Sequence, residues 1–97
     1  MKIEFLPLAK SELEDAVQYY NLQVQGLGSR YKNEVKVTIQ RIAIFPTAFM
    51  EVKPEIRRCI MHKFPYSIYY SIQDDLILIL AMAHQHRKPD YWINRVQ

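Results

Sequence analysis

The stretch RRCIMHKFPYSIYYSIQDDLILILAMAHQHRKPDYW, residues 57–92, decides the fold. From Ile56 to Lys63 the side chains alternate, with Ile56, Arg58, Ile60 and His62 on one face and Arg57, Cys59, Met61 and Lys63 on the other. A period of two belongs to a strand, because successive Cβ atoms leave the pleated backbone on opposite sides. Phe64-Pro65 makes a corner. Tyr66 to Gln73 then alternates again, Tyr66, Ile68, Tyr70 and Ile72 against Ser67, Tyr69, Ser71 and Gln73. Asp74-Asp75 reads as a tight turn, and Leu76 to Ala83 is apolar on both faces, which suits a central strand. Three such strands joined by short turns predict an antiparallel meander.

The third strand runs into His84-Gln85-His86-Arg87-Lys88-Pro89-Asp90-Tyr91-Trp92. These side chains cannot all be buried cheaply, so the segment is expected at a surface. Basic groups mixed with aromatic ones are what a polyanion or a polar protein partner contacts. Pro89 is expected to open a short final helix, Asp90 to Arg95. Cutting the chain after Pro89 should then remove the contact surface and leave the fold largely intact.

Working towards the N-terminus, two amphipathic helices precede the meander. The second carries Leu27, Tyr31, Val35, Thr38, Ile39, Ile42 and Phe45 on one face and is stopped by Pro46. Its other face carries Arg30, Lys32, Lys36 and Arg41 against Glu34. The first shows its apolar stripe at Ala9, Leu13, Ala16, Val17, Tyr20 and Val24. Spacings of three and four place such residues along one side of a helix. Ser11 and Glu14 offer a capping box, and Glu12, Glu14 and Asp15 would complement the positive end of the helix dipole. Gly26-Leu27-Gly28 joins the two helices as a hairpin. Before them Ile3 and Phe5 form a short strand that Pro7 ends.

The predicted order is β-α-α-β-β-β-(α), an α+β fold. A helical hairpin covers one face of a small, mainly antiparallel sheet. The opposite face, with Ser67, Tyr69 and Ser71, is left as the working surface.

With 97 residues there is room for one domain, residues 1–97, and one modest core. A hydrophobic share of 49% with 24% charged residues is that of a globular chain, not a disordered one. The net charge of +3 permits an anionic partner, but a purely electrostatic nucleic-acid binder carries more charge, gathered on one face. Cys59 is the only cysteine, which excludes an internal disulfide and fits a reducing cytoplasm. Glu4 interrupts any apolar leader, and no run approaches the roughly 20 apolar residues of a membrane span. A cytoplasmic protein without membrane contact is expected.

The order and spacing of several pieces resemble the RelE/ParE superfamily of toxins from type II toxin-antitoxin systems. They are Ala9…Leu13…Ala16…Tyr19-Tyr20, Ile56-Arg57-Arg58-Cys59-Ile60, Phe64-Pro65-Tyr66-Ser67-Ile68-Tyr69-Tyr70, Leu78-Ile79-Leu80-Ala81-Met82-Ala83-His84 and Arg87-Lys88-Pro89-Asp90-Tyr91-Trp92. The resemblance implies a bacterial toxin of the plasmid-stabilising kind, held silent in an oligomeric complex by a cognate antitoxin. ParE-like members poison DNA gyrase, and RelE-like members cut messenger RNA, usually on the ribosome.

RNA cleavage through the 2′-hydroxyl needs a base, an acid and a positive charge on the phosphorane-like transition state. RelE-like enzymes place a basic residue on the middle strand of the meander, and the matching position here is Ser67. A serine cannot steady phosphate charge as a guanidinium does. His84, His86, Arg87 and Tyr91, with Arg57 and Lys63 beside them, remain the catalytic set if the chain is a metal-independent endoribonuclease. Poisoning a topoisomerase needs only a surface, and Arg, Tyr and Trp dominate such surfaces. The ParE-like reading is preferred. It assigns Arg57, Arg58, Tyr66, His84, Arg87, Lys88, Tyr91 and Trp92 to gyrase and Arg30, Lys36 and Arg41 to the antitoxin. The alternatives are the nuclease and a non-toxic member that only binds an antitoxin. No cofactor is expected. His84 and His86 share a strand face, but the residues around them are too poor in ligands for a metal site.

Overall fold

The computed structural model describes residues 1–96. Strand β1 (Lys2–Phe5) leads into helix α1 (Pro7–Gln23), and α2 (Leu27–Ile44) folds back on it. Then come β2 (Met50–Lys53), β3 (Ile56–Ile60), β4 (Tyr66–Gln73), β5 (Leu76–His84) and a 3₁₀ turn, Ile93–Arg95. The sheet order is β1-β5-β4-β3-β2, with β1 parallel to β5 and the other pairs antiparallel. This is the expected α+β architecture, a helical hairpin on one face of a mainly antiparallel sheet. The doubly apolar β5 is flanked on both sides, by β1 and by β4.

The alternation read from the sequence sorts the two faces correctly. Cys59, Met61, Ile68, Tyr70, Ile77, Ile79 and Met82 meet Ala9, Ala16, Tyr31, Val35 and Ile42 of the helices in one buried cluster. On the outer face Ile56, Leu80, Ala81 and Trp92 form a second, smaller one. A register shift between Tyr69 and Tyr70 lets two β5 residues in succession, Leu80 and Ala81, face outward. Between the helices, Gly28 is buried against the Val17 carbonyl and the Asn21 side chain, and its N–H donates to Asn21 Oδ1 at 2.8 Å. A Cβ there would collide with backbone, so only glycine allows this close approach.

Four local expectations are corrected. The short edge strand β2 was not foreseen, because Met50-Glu51-Val52-Lys53 carries little alternation and acquires its pairing from β3. Helix α1 starts at Pro7, whose ring suits the first helical position, so Ser11 lies inside the helix and does not cap it. No acidic residue falls in its first turn, and Glu12 turns to the sheet. The final helix shrinks to one 3₁₀ turn, because Asp90 sits at φ 60°, outside helical backbone.

Candidate functional site

Strand β1 covers only the first part of β5, the last pairing being Phe5 with Ile79. Beyond it two side chains take over the edge of β5. Arg95 Nη1 donates to the Leu80 carbonyl at 3.0 Å, and the Met82 N–H donates to Glu12 Oε1 at 3.0 Å. Arg95 also grips Glu12 through two contacts, Nη1 to Oε1 at 2.8 Å and Nη2 to Oε2 at 3.0 Å. The Tyr91 hydroxyl donates to Glu12 Oε2 at 2.6 Å. Burial pushes the Glu12 carboxyl up, but the donors from Arg95, Tyr91 and Met82 outweigh it and hold the group below its ordinary range. Burial, then the hydrogen bond to Glu12, pushes the Tyr91 phenol well above its ordinary value.

This latch fixes the C-terminal segment to α1 and β5. Trp92, expected on the contact surface, is 1% exposed and packs on Tyr69 with ring centroids 4.8 Å apart. It is a core residue of the outer-face cluster and does not offer its indole to a partner. Cutting after Pro89 would therefore strip Trp92 from that cluster and Arg95 from Glu12, so the expectation of an intact fold does not hold.

The segment roofs one side of a pocket of about 280 Å³ on the outer face. Arg58 and Ser67 contribute from the strands, and Arg87, Lys88 and Asp90 from the segment that follows. The Arg87 guanidinium lies 3.8 Å from the Tyr91 ring centroid, a stacked cation–π contact that orients it. Asp90 is paired with Lys53 at 3.2 Å. Arg58, Arg87 and Lys88 are thus brought together around one pocket.

Arg57 is on the helix side. Its Nη1 donates to the Phe49 carbonyl at 2.8 Å and the Thr47 carbonyl at 3.2 Å, tying down the loop before β2. Tyr66 also faces the helices, against Tyr31 at 5.0 Å and His84 at 5.0 Å, and burial raises its phenol to about 12. His84 stands at the rim between this aromatic group and the outer pocket, and its Nδ1 accepts the His86 N–H at 3.1 Å. His86 is exposed.

Around the helices, Arg30 and Lys36 are exposed on α2, as are Val37 and Ile44 further along it and Phe45 at its end, at 41%, 66% and 62%. Arg41 is engaged elsewhere, reaching Cys59 Sγ at 3.3 Å, His62 Nε2 at 3.4 Å and the Phe49 ring. Burial raises the Cys59 thiol against the opposing pull of Arg41, so Cys59 stays protonated in the core. A groove between α1 and the end of β5 is lined by Glu12, Tyr19, Tyr66, Met82, His84 and Arg87. Among the described residues no group of three or more His, Cys, Asp or Glu could hold a metal, and no helix is long and apolar enough to cross a membrane.

Sequence reasoning missed Glu12. A signal was present, since Glu12 is three residues from Ala9 and four from Ala16, a carboxylate on the apolar stripe itself. A charge on a buried stripe needs a partner, and Arg95 lies too far along the chain for spacing to find it.

The fold and site define the class of protein as a small α+β domain with a helical hairpin on one face of its sheet and basic side chains gathered on the other. The family model described as "ParE toxin of type II toxin-antitoxin system, parDE" matches residues 3–89. The chain belongs to that family. A solved structure described as the chromosomal ParDE TA system from P. aeruginosa contains a chain with the same fold, at a TM-score of 0.65 and 13% identity. The match covers 87% of this chain and 95% of that one. No curated protein sequence matches significantly.

Proposed function

We propose that this ParE-family chain binds and poisons DNA gyrase through its outer face, and that a cognate antitoxin silences it by covering the helical hairpin. The observation that carries the gyrase reading is that two of the three proton-transfer groups, Tyr91 and His84, are engaged, with His86 left exposed. The Tyr91 hydroxyl is committed to Glu12, the His84 Nδ1 accepts a backbone N–H, and Ser67 occupies the middle-strand position. What remains is a surface of Arg58, Arg87 and Lys88 with aromatic walls, and a poison needs no more than that. For the antitoxin, Arg30 and Lys36 together with Val37, Ile44 and Phe45 suit an acidic amphipathic segment that folds on docking.

Family membership implies an antitoxin partner. The test is a gyrase supercoiling assay on relaxed plasmid with the purified chain. Loss of supercoiling with accumulation of cleaved plasmid is expected, and Arg87→Gln should weaken it about tenfold. Unimpaired supercoiling, together with cleavage of messenger RNA in a translating extract, would replace this reading with a nuclease.

A further inference from the structure

The outer-face pocket is lined by an arginine with one N–H left unsatisfied among the described residues. Arg58 Nε is buried and meets no acceptor among the described residues. The ion pairs among those residues are Lys53–Asp90, Lys63–Glu34 and Arg95–Glu12, and none includes Arg58, Arg87 or Lys88. A buried N–H without an acceptor is costly, and native structures rarely tolerate one without a reason. The stacking of Arg87 on Tyr91 fixes its plane and leaves the N–H edge of the guanidinium available. The single carboxylate lining the pocket, Asp90, is offset by Lys53. Three cations therefore surround a small polar space, and among the described residues no unpaired anion matches them.

We propose that this pocket is a receptor for one phosphate-type oxyanion. Arg58 forms the floor, Ser67 supplies a hydroxyl, and Arg87 and Lys88 close the rim. A tetrahedral oxyanion has enough acceptor oxygens to satisfy donors arriving from several directions, where a carboxylate has two. A volume of about 280 Å³ admits a phosphoryl group with part of its substituent. The same chemistry is offered by a free phosphate or monoester and by a backbone phosphodiester. The inference needs only the fold and stands whether or not gyrase is the target.

The test follows the Arg58 Nε–H and the Ser67 and Lys88 amides by NMR on the full chain, at constant ionic strength. The probes are inorganic phosphate, an unphosphorylated thymidine trinucleotide and, as control, sodium chloride. Saturable shifts with phosphate or the trinucleotide, and none with chloride, are expected. Arg58→Gln should weaken binding about tenfold and Lys88→Gln about threefold, with Lys36→Gln unchanged. Tighter saturation by the trinucleotide assigns the site to a phosphodiester, and saturation by phosphate alone assigns it to a free phosphate or monoester. No saturation by either probe overturns the proposal, as does binding that survives both the Arg58 and Lys88 changes. If Arg58→Gln does not fold, Lys88→Gln and Arg87→Gln, both at exposed positions, decide it. A chain inactive against gyrase that still binds phosphate would separate this site from the target.

Discussion

Arg57 and Arg58 are neighbours of the same type, and the sheet gives them opposite surroundings. Arg57 faces the helices and donates to two backbone carbonyls. Arg58 faces outward, its Nε buried without an acceptor among the described residues. The cations closest to each of them differ in the same way. On the helix side the long cations are built into the structure, Arg57 on a loop and Arg41 on Cys59 and His62. On the outer side Arg58, Arg87 and Lys88 gather around a pocket. A satisfied cation stabilises a fold, whereas a cation held in place without its counter-charge is available to a ligand.

The largest contrast is in the cores. Ile79 is fully buried in the helix-side cluster, and Ile56 is 8% exposed in the smaller outer one. Ile79→Ala should cost about 4 kcal/mol and Ile56→Ala about 2 kcal/mol, read from urea unfolding. Equal losses would mean that the outer cluster is packed as deeply as the helix side.

A smaller effect tests the latch that joins the two sides. Glu12→Gln leaves the Arg95 guanidinium without its charge partner and should cost about 3 kcal/mol near neutral pH. The folded-state pKa of Glu12 is lowered, so its stabilisation is fully present above the ordinary carboxylate value of about 4.3. It is lost as pH falls through the lowered folded value. The stability gap between the native chain and Glu12→Gln should therefore close on acidification. Curves that stay parallel down to low pH would remove the latch from the account.

The smallest effect is the sharpest test of the two arginines. Arg57→Gln should lose about 1.5 kcal/mol through its two carbonyl contacts. In phosphate-free buffer Arg58→Gln should stay within about 0.5 kcal/mol of the native chain, because it removes a donor that had no acceptor. A larger loss for Arg58 than for Arg57 would reverse the contrast.

The sequence was most legible where burial repeats with a period. The two-residue alternation set Cys59 apart from Arg58 on one strand, and on the next it set Ile68 and Tyr70 apart from Ser67 and Tyr69, the face left as the working surface. It separated Arg57 from Arg58 without saying which of them joins the basic end of β5, and only the fold shows that Arg58 does. Trp92 was misread because its burial depends on Tyr69, more than twenty positions earlier and on another strand. The edge strand β2 was missed because its stability comes from β3 and not from its own composition.

By itself, then, the sequence determined the helical hairpin, the meander, the alternation of faces along its first two strands and the family resemblance. Each of these rests on local spacing that the backbone converts directly into direction. Only the tertiary structure decided that Glu12 would meet Arg95 and Tyr91, that Trp92 would be buried, and that Arg58 Nε would find no acceptor among the described residues. Those outcomes depend on contacts between residues up to 83 positions apart, which no periodicity encodes. They arise because a short sheet with one uncovered face has to close it with its own C-terminal segment.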